Sequence, residues 1–131
     1  MDERKRYEQG IATRRAVLGD AHVDRTMKNS TEFNEPFQDL ITRYAWGEIW
    51  SRPGLSKKTR SLLTLCMLIA LDREPELRMH LKAALSMGIT REEIQEVLLQ
   101  AAIYAGVPAA NSGFQIAGEE LVAAGRLERP T

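Results

Sequence analysis

The sequence predicts an all-α fold, and three observations carry that expectation. Apolar residues recur at three- and four-residue spacing along most of the chain, and no stretch alternates as a strand would. Alanine and leucine are plentiful while aromatics make up only 6% of residues, a balance that favours helix. Proline and glycine fall mostly between the periodic stretches, where helices start and stop. A chain of 131 residues buries roughly two-thirds of its unfolded surface. We therefore expect one compact domain over residues 1–131, built from six or seven helices.

The elements follow in order. Tyr7, Ile11 and Leu18 share one face of a first helix that Gly19 can end, with Thr13 and Arg14 on the other side. A short turn follows over His22, Val23, Asp24 and Arg25. Asn34 suits an N-cap, with Pro36 in the first turn. Phe37, Leu40, Ile41 and Tyr44 then form a stripe on a third helix that stops near Gly47. The stretch 46–54 is the least regular and ends on the turn signal Pro53-Gly54. A long helix runs from Ser56 to about Leu71, with Leu62, Leu65 and Ile69 inward. Pro75 fits only a first turn, so the next helix spans about 75–87 and ends at Gly88. Thr90 and Glu93 have the spacing of a capping box, followed by Ile94, Val97, Leu98 and Ala101 at helical spacing. Gly106-Val107-Pro108 breaks that helix, and a last one runs from about Ala109 to Ala124.

Composition narrows the function. Eighteen basic and eighteen acidic side chains cancel, which argues against broad binding of nucleic acid or an anionic membrane. The single cysteine excludes an intramolecular disulfide. The charged start of the chain is followed by no apolar signal region, and the longest apolar run, 62–71, is too short to span a bilayer. A soluble cytoplasmic protein is expected.

Few residues stand out as chemistry-bearing. His80 sits inside an otherwise apolar helical pattern. Imidazole exchanges a proton near neutral pH, although spacing alone fits a satisfied core histidine, with Glu76 as a local partner. Glu48 lies between Trp46 and Trp50, where a desolvated carboxylate would suit proton donation; a solvated turn carboxylate is the plainer alternative. Arg43, Arg52, Arg60, Arg73 and Arg78 cluster in the central half, and a guanidinium grips carboxylates in a two-pronged fashion. Cys66 reads as a small core residue, and His22 as a structural group at a helix junction. No C-x-x-C, metal-ligand cluster or phosphate-binding glycine loop is present.

The segments 19–25, 33–38, 43–55, 59–63, 76–80 and 104–110 together resemble the carboxymuconolactone decarboxylase family. The resemblance implies an alkylhydroperoxidase D-like helical fold assembled as a dimer-based homo-oligomer, often a hexamer. The redox branch of that fold carries a Glu, a C-x-x-C and a His. With its His placed on His80, its cysteines fall on Arg73 and Glu76 and its Glu near Ser61, so dithiol peroxidase chemistry is not supported. The implied activity is instead that of a carboxy-lyase needing no cofactor or metal. It converts 4-carboxymuconolactone, a small lactone dicarboxylate, to 3-oxoadipate enol-lactone and CO₂ in protocatechuate catabolism by the β-ketoadipate pathway. On that reading His80 delivers a proton or stabilises the oxyanion, and Glu48 is a second proton-transfer group or orients His80. Arg52 or Arg60 grips the retained carboxymethyl group, and Trp46 and Tyr104 wall the pocket. The competing expectations are a paralogue acting on another small acid and a non-catalytic ligand-binding helical oligomer.

Overall fold

The computed structural model describes residues 1–130. Among them are seven α-helices, one π-helical segment and no strand. The chain divides into two compact units, Met1–Lys57 and Lys58–Thr131. No helix is long and apolar enough to cross a membrane.

In the first unit, α1 (Glu3–Leu18) is capped by Asp2, whose carboxylate accepts from the Lys5 amide at 2.8 Å. Gly19, at φ +89°, ends α1 and starts α2 (Asp20–Lys28). A turn was expected over 22–25; the structure forms a nine-residue helix there. Its polar composition hides it, because Val23 is its only fully buried side chain. α3 (Glu35–Leu40) carries Pro36 in its first turn. Asn34 stands at the N-cap position, but its side chain reaches back to the Thr31 amide at 2.8 Å instead of capping the helix.

α3 does not end near Gly47 as expected. It continues into a π-helical segment, Ile41–Ile49, closed by a bond from the Trp50 amide to the Ala45 carbonyl at 2.8 Å. Wide i→i+5 turns of this kind are rare and gather at functional sites. The segment lies against α1 at two glycines. A Cβ on Gly47 would run into the Arg6 carbonyl oxygen, and one on Gly10 into that of Thr42. The Gln9 amide donates to the Gly47 carbonyl at 2.9 Å across the same crossing. The expected inward face of α1 is corrected as well: Thr13 and Arg14 are buried. They belong to a stripe of Gly10, Thr13, Arg14 and Val17 at helical spacing. Polar partners make this possible, as in the 2.7 Å hydrogen bond between the hydroxyls of Thr13 and Ser51.

The second unit has a conventional apolar core. α4 (Lys57–Ala70), α5 (Glu74–Ser86), α6 (Arg91–Tyr104) and α7 (Val107–Ala123) contribute Leu65, Ile69, Leu77, Leu81, Leu98 and Leu121. Pro75 lies in the first turn of α5, as expected. Thr90 and Glu93 form the full capping box of α6. Gly106, at φ +108°, turns the chain, and α7 starts at Val107 with Pro108 in its first turn, two residues earlier than expected. Gly113 on α7 lets that helix close onto α6 and α4, because a Cβ there would lie 2.8 Å from Leu98 Cδ2 and 3.2 Å from Ile69 Cγ2. Arg78 on α5 ties the unit to α7 through Glu119 at 2.8 Å and the buried Glu120 at 3.0 Å.

Candidate active site

The residues expected at the site fall in both units. In the first, Trp46 is buried within the π-helical segment and stacks on Trp50, with ring centroids 4.9 Å apart. Glu48, in the same segment, is half-exposed and forms an ion pair with Arg6 of α1. Arg52 stands 3.8 Å from the other oxygen of Glu48. Glu48 is thus held by cations and not shut in by indole rings. Arg52 keeps 61% of its side-chain surface in solvent.

In the second unit, His80 is buried on α5, one turn after the exposed Glu76 and among Leu77, Leu81 and Ala84. Its pattern-based burial is correct. Arg60 lies in the first turn of α4 and is half-buried, and the Thr64 hydroxyl donates to its carbonyl at 2.8 Å. Tyr104 closes α6 and is 83% exposed. Cys66 lies with Leu62, Leu63 and Val97 along an apolar groove between α4 and α6. Among the described residues no group of three or more His, Cys, Asp or Glu side chains stands close enough to hold a metal ion.

Two features escaped the sequence reading. One is the glycine crossing that positions the π-helical segment. The other is Arg14, a buried guanidinium bonded only to neutral groups: Nη1 donates to Thr42 Oγ1 at 3.4 Å and Nη2 to Gln38 Oε1 at 3.1 Å. Burial lowers its pKa from the ordinary arginine value, against the nearby Tyr7 hydroxyl, which raises it. A usable signal was present, since a glycine at position 10 inside a helical pattern marks a close approach.

These elements make an all-helical protein with a buried histidine and a tryptophan pair stacked at the end of a π-helical segment. The model of the carboxymuconolactone decarboxylase family matches residues 35–119. A 4-carboxymuconolactone decarboxylase of Acinetobacter baylyi is 50% identical over 91% of this chain and 89% of its own length. A nitrosuccinic acid decarboxylase, npaB, of Metarhizium robertsii is 39% identical over 97% of this chain and 91% of its own. A 4-carboxymuconolactone decarboxylase sequence from Pseudomonas putida is 56% identical over its whole length, which covers 37% of this chain. The chain belongs to the carboxymuconolactone decarboxylase family.

Proposed function

We propose that this protein decarboxylates 4-carboxymuconolactone to 3-oxoadipate enol-lactone and CO₂, a step of protocatechuate catabolism. The observation that carries the reading is the 50% identity with the Acinetobacter baylyi decarboxylase over nearly the full length of both chains. The chemistry needs no cofactor, because the substrate is its own electron sink. The departing carboxylate sits on a carbon joined through a double bond to the lactone carbonyl. As the bond to CO₂ breaks, its electron pair moves into that system and forms a dienolate. A proton then adds to the carbon next to the carbonyl, which leaves the enol-lactone.

The protein has three tasks in this mechanism. It holds the departing carboxylate out of the ring plane, so that the breaking bond overlaps the π system. It stabilises the oxyanion that grows on the lactone, and it supplies the proton. We assign His80 to proton delivery or oxyanion stabilisation and Glu48 to a second proton transfer or to orienting His80. Arg52 or Arg60 holds the retained carboxymethyl group, and Trp46 and Tyr104 shape the pocket. Tyr104 exposes an aromatic face that a second subunit of a homo-oligomer would cover, in keeping with a dimer-based assembly in the cytoplasm.

A second reading is favoured by the npaB relative, which matches 97% of this chain. A nitro-substituted succinic acid that loses the carboxylate beside its nitro group leaves the electron pair on the nitro oxygens. Both reactions therefore place a carbanion on an acid with a built-in sink. The purified protein should be mixed with freshly made 4-carboxymuconolactone, and in parallel with nitrosuccinate, while CO₂ and organic product are followed together. We expect many turnovers with the lactone, and at least a 10²-fold loss for His80→Ala with its circular dichroism unchanged. Turnover of nitrosuccinate alone would move the assignment to the second reading. A folded wild type that turns over neither would overturn both.

A further inference from the structure

The first unit contains a cavity of about 470 Å³, with Arg14 in its wall. Arg14 is 94% buried, from a relative exposure of 6%, and comes from the middle of α1. A buried cation is normally matched by a carboxylate. None of the ion pairs among the described residues includes Arg14, and its hydrogen-bond partners, Thr42 and Gln38, are both neutral. Its Nε–H is buried with no hydrogen-bond partner. Arg14 therefore brings a positive charge without a carboxylate partner to the cavity wall.

The rest of the wall narrows the anion. Tyr7 adds a hydroxyl, the Thr26 hydroxyl donates to the His22 carbonyl at 3.1 Å, and Ile11, Met27 and Pro36 offer apolar surface. Glu32 and Glu35, both exposed, and Asp39, which Arg43 engages at 2.9 Å, also border the cavity. Those carboxylates oppose a multiply charged phosphate more than a singly charged carboxylate head. Nearby, burial and then the positive charges of Arg14 and Arg25 lower the pKa of His22 from the ordinary histidine value. The volume exceeds what an inorganic ion needs and falls in the range of small-molecule sites.

We propose that this cavity is a carboxylate-binding site, in which Arg14 grips the carboxylate of a small organic acid while Ile11, Met27 and Pro36 cover its carbon skeleton. The proposal goes beyond the decarboxylase reading and does not depend on it. A guanidinium whose purpose was structural would stabilise the ligand-free protein. One held for a ligand leaves the ligand-free protein with an unmatched buried charge, and stability is gained only when the acid binds.

The test uses levulinate, a monocarboxylate with a short carbon skeleton, and methyl levulinate as its neutral control. The Arg14 Nε–H resonance, assigned by its loss in Arg14→Lys, is followed by ¹H–¹⁵N NMR of the wild-type chain. We expect a saturable shift with levulinate, none with the methyl ester and a weaker response to inorganic phosphate. Arg14→Met should bind levulinate at least about tenfold more weakly, yet melt no lower than the wild type without ligand. A resonance that levulinate leaves unmoved, or that the ester moves equally, overturns the proposal even if the variant fails to fold. An equal response to phosphate overturns the organic-acid assignment, and a ligand-free Arg14→Met that melts well below the wild type makes Arg14 structural.

Discussion

Gly10→Ala isolates the contact that places the π-helical segment. A methyl group at position 10 would lie 2.9 Å from the Thr42 carbonyl carbon, 3.1 Å from the Gly47 amide nitrogen and closer still to the Thr42 carbonyl oxygen. All three atoms are backbone, so no side-chain rotation relieves the clash. α1 and the segment Ile41–Ile49 must part by about 1 Å, and a close-packed interior transmits that shift. Overpacking costs about 1–3 kcal/mol where neighbours can give, and here the upper end applies. Against it stands the helix preference of alanine over glycine, about 1 kcal/mol. The net expectation is a loss of about 2 kcal/mol.

The assay is urea unfolding followed by far-ultraviolet circular dichroism, with Gly118→Ala measured alongside. Gly118 lies in α7, and a Cβ there meets nothing within 4 Å. The same substitution should therefore gain up to about 1 kcal/mol at that site. The opposite signs separate packing from propensity, because both variants make the same chemical change inside a helix. A Gly10→Ala midpoint equal to or above that of the wild type would refute the close approach, and with it the structural reason for glycine at the crossing.

Two further expectations follow from single residues. Because the folded His22 pKa is lowered, the unfolded chain binds more protons just below the ordinary histidine value, about 6.5, and stability falls with pH through that window. His22→Gln should flatten the decline in melting temperature between about pH 7.5 and pH 5.5, and an unchanged slope would count against the shift. Cys66 takes part in no step of the proposed reaction, so Cys66→Ala should keep wild-type turnover, at a packing cost of about 1 kcal/mol; activity lost with the thiol would return weight to redox chemistry.

What the sequence made legible was local. The capping box at Thr90 and Glu93 and the proline in the first turn of α5 depend only on neighbours in the chain, and both stand where expected. The inward placement of Leu65, Ile69 and Leu98 follows from period alone. Gly47 shows where this kind of reading stops. A glycine serves equally as a helix terminator and as a contact point between helices, and only the distant partner, Arg6, decides between them. Thr13 and Arg14 fail for a related reason. Periodicity assigns polar residues to water, but here Ser51, Thr42 and Gln38, 24 to 38 residues away, supply polar partners inside. At the candidate site, the burial of His80 was legible from its apolar neighbours. The pairing of Glu48 with Arg6, 42 residues distant, was not.

The start of α5 bears on why a histidine is present without cysteines. Arg73 is the N-cap residue, and Glu74 and Glu76 stand in the first turn. A helix N-terminus favours negative charge. In this chain two exposed carboxylates satisfy that field, and Arg78 engages Glu74 at 3.6 Å. The helix thus has an N-terminus suited to anions and a buried imidazole one turn after Glu76. On the proposed assignment, these groups would position an acid and move a proton. Those are the two operations that decarboxylation of a substrate with its own electron sink asks of a protein.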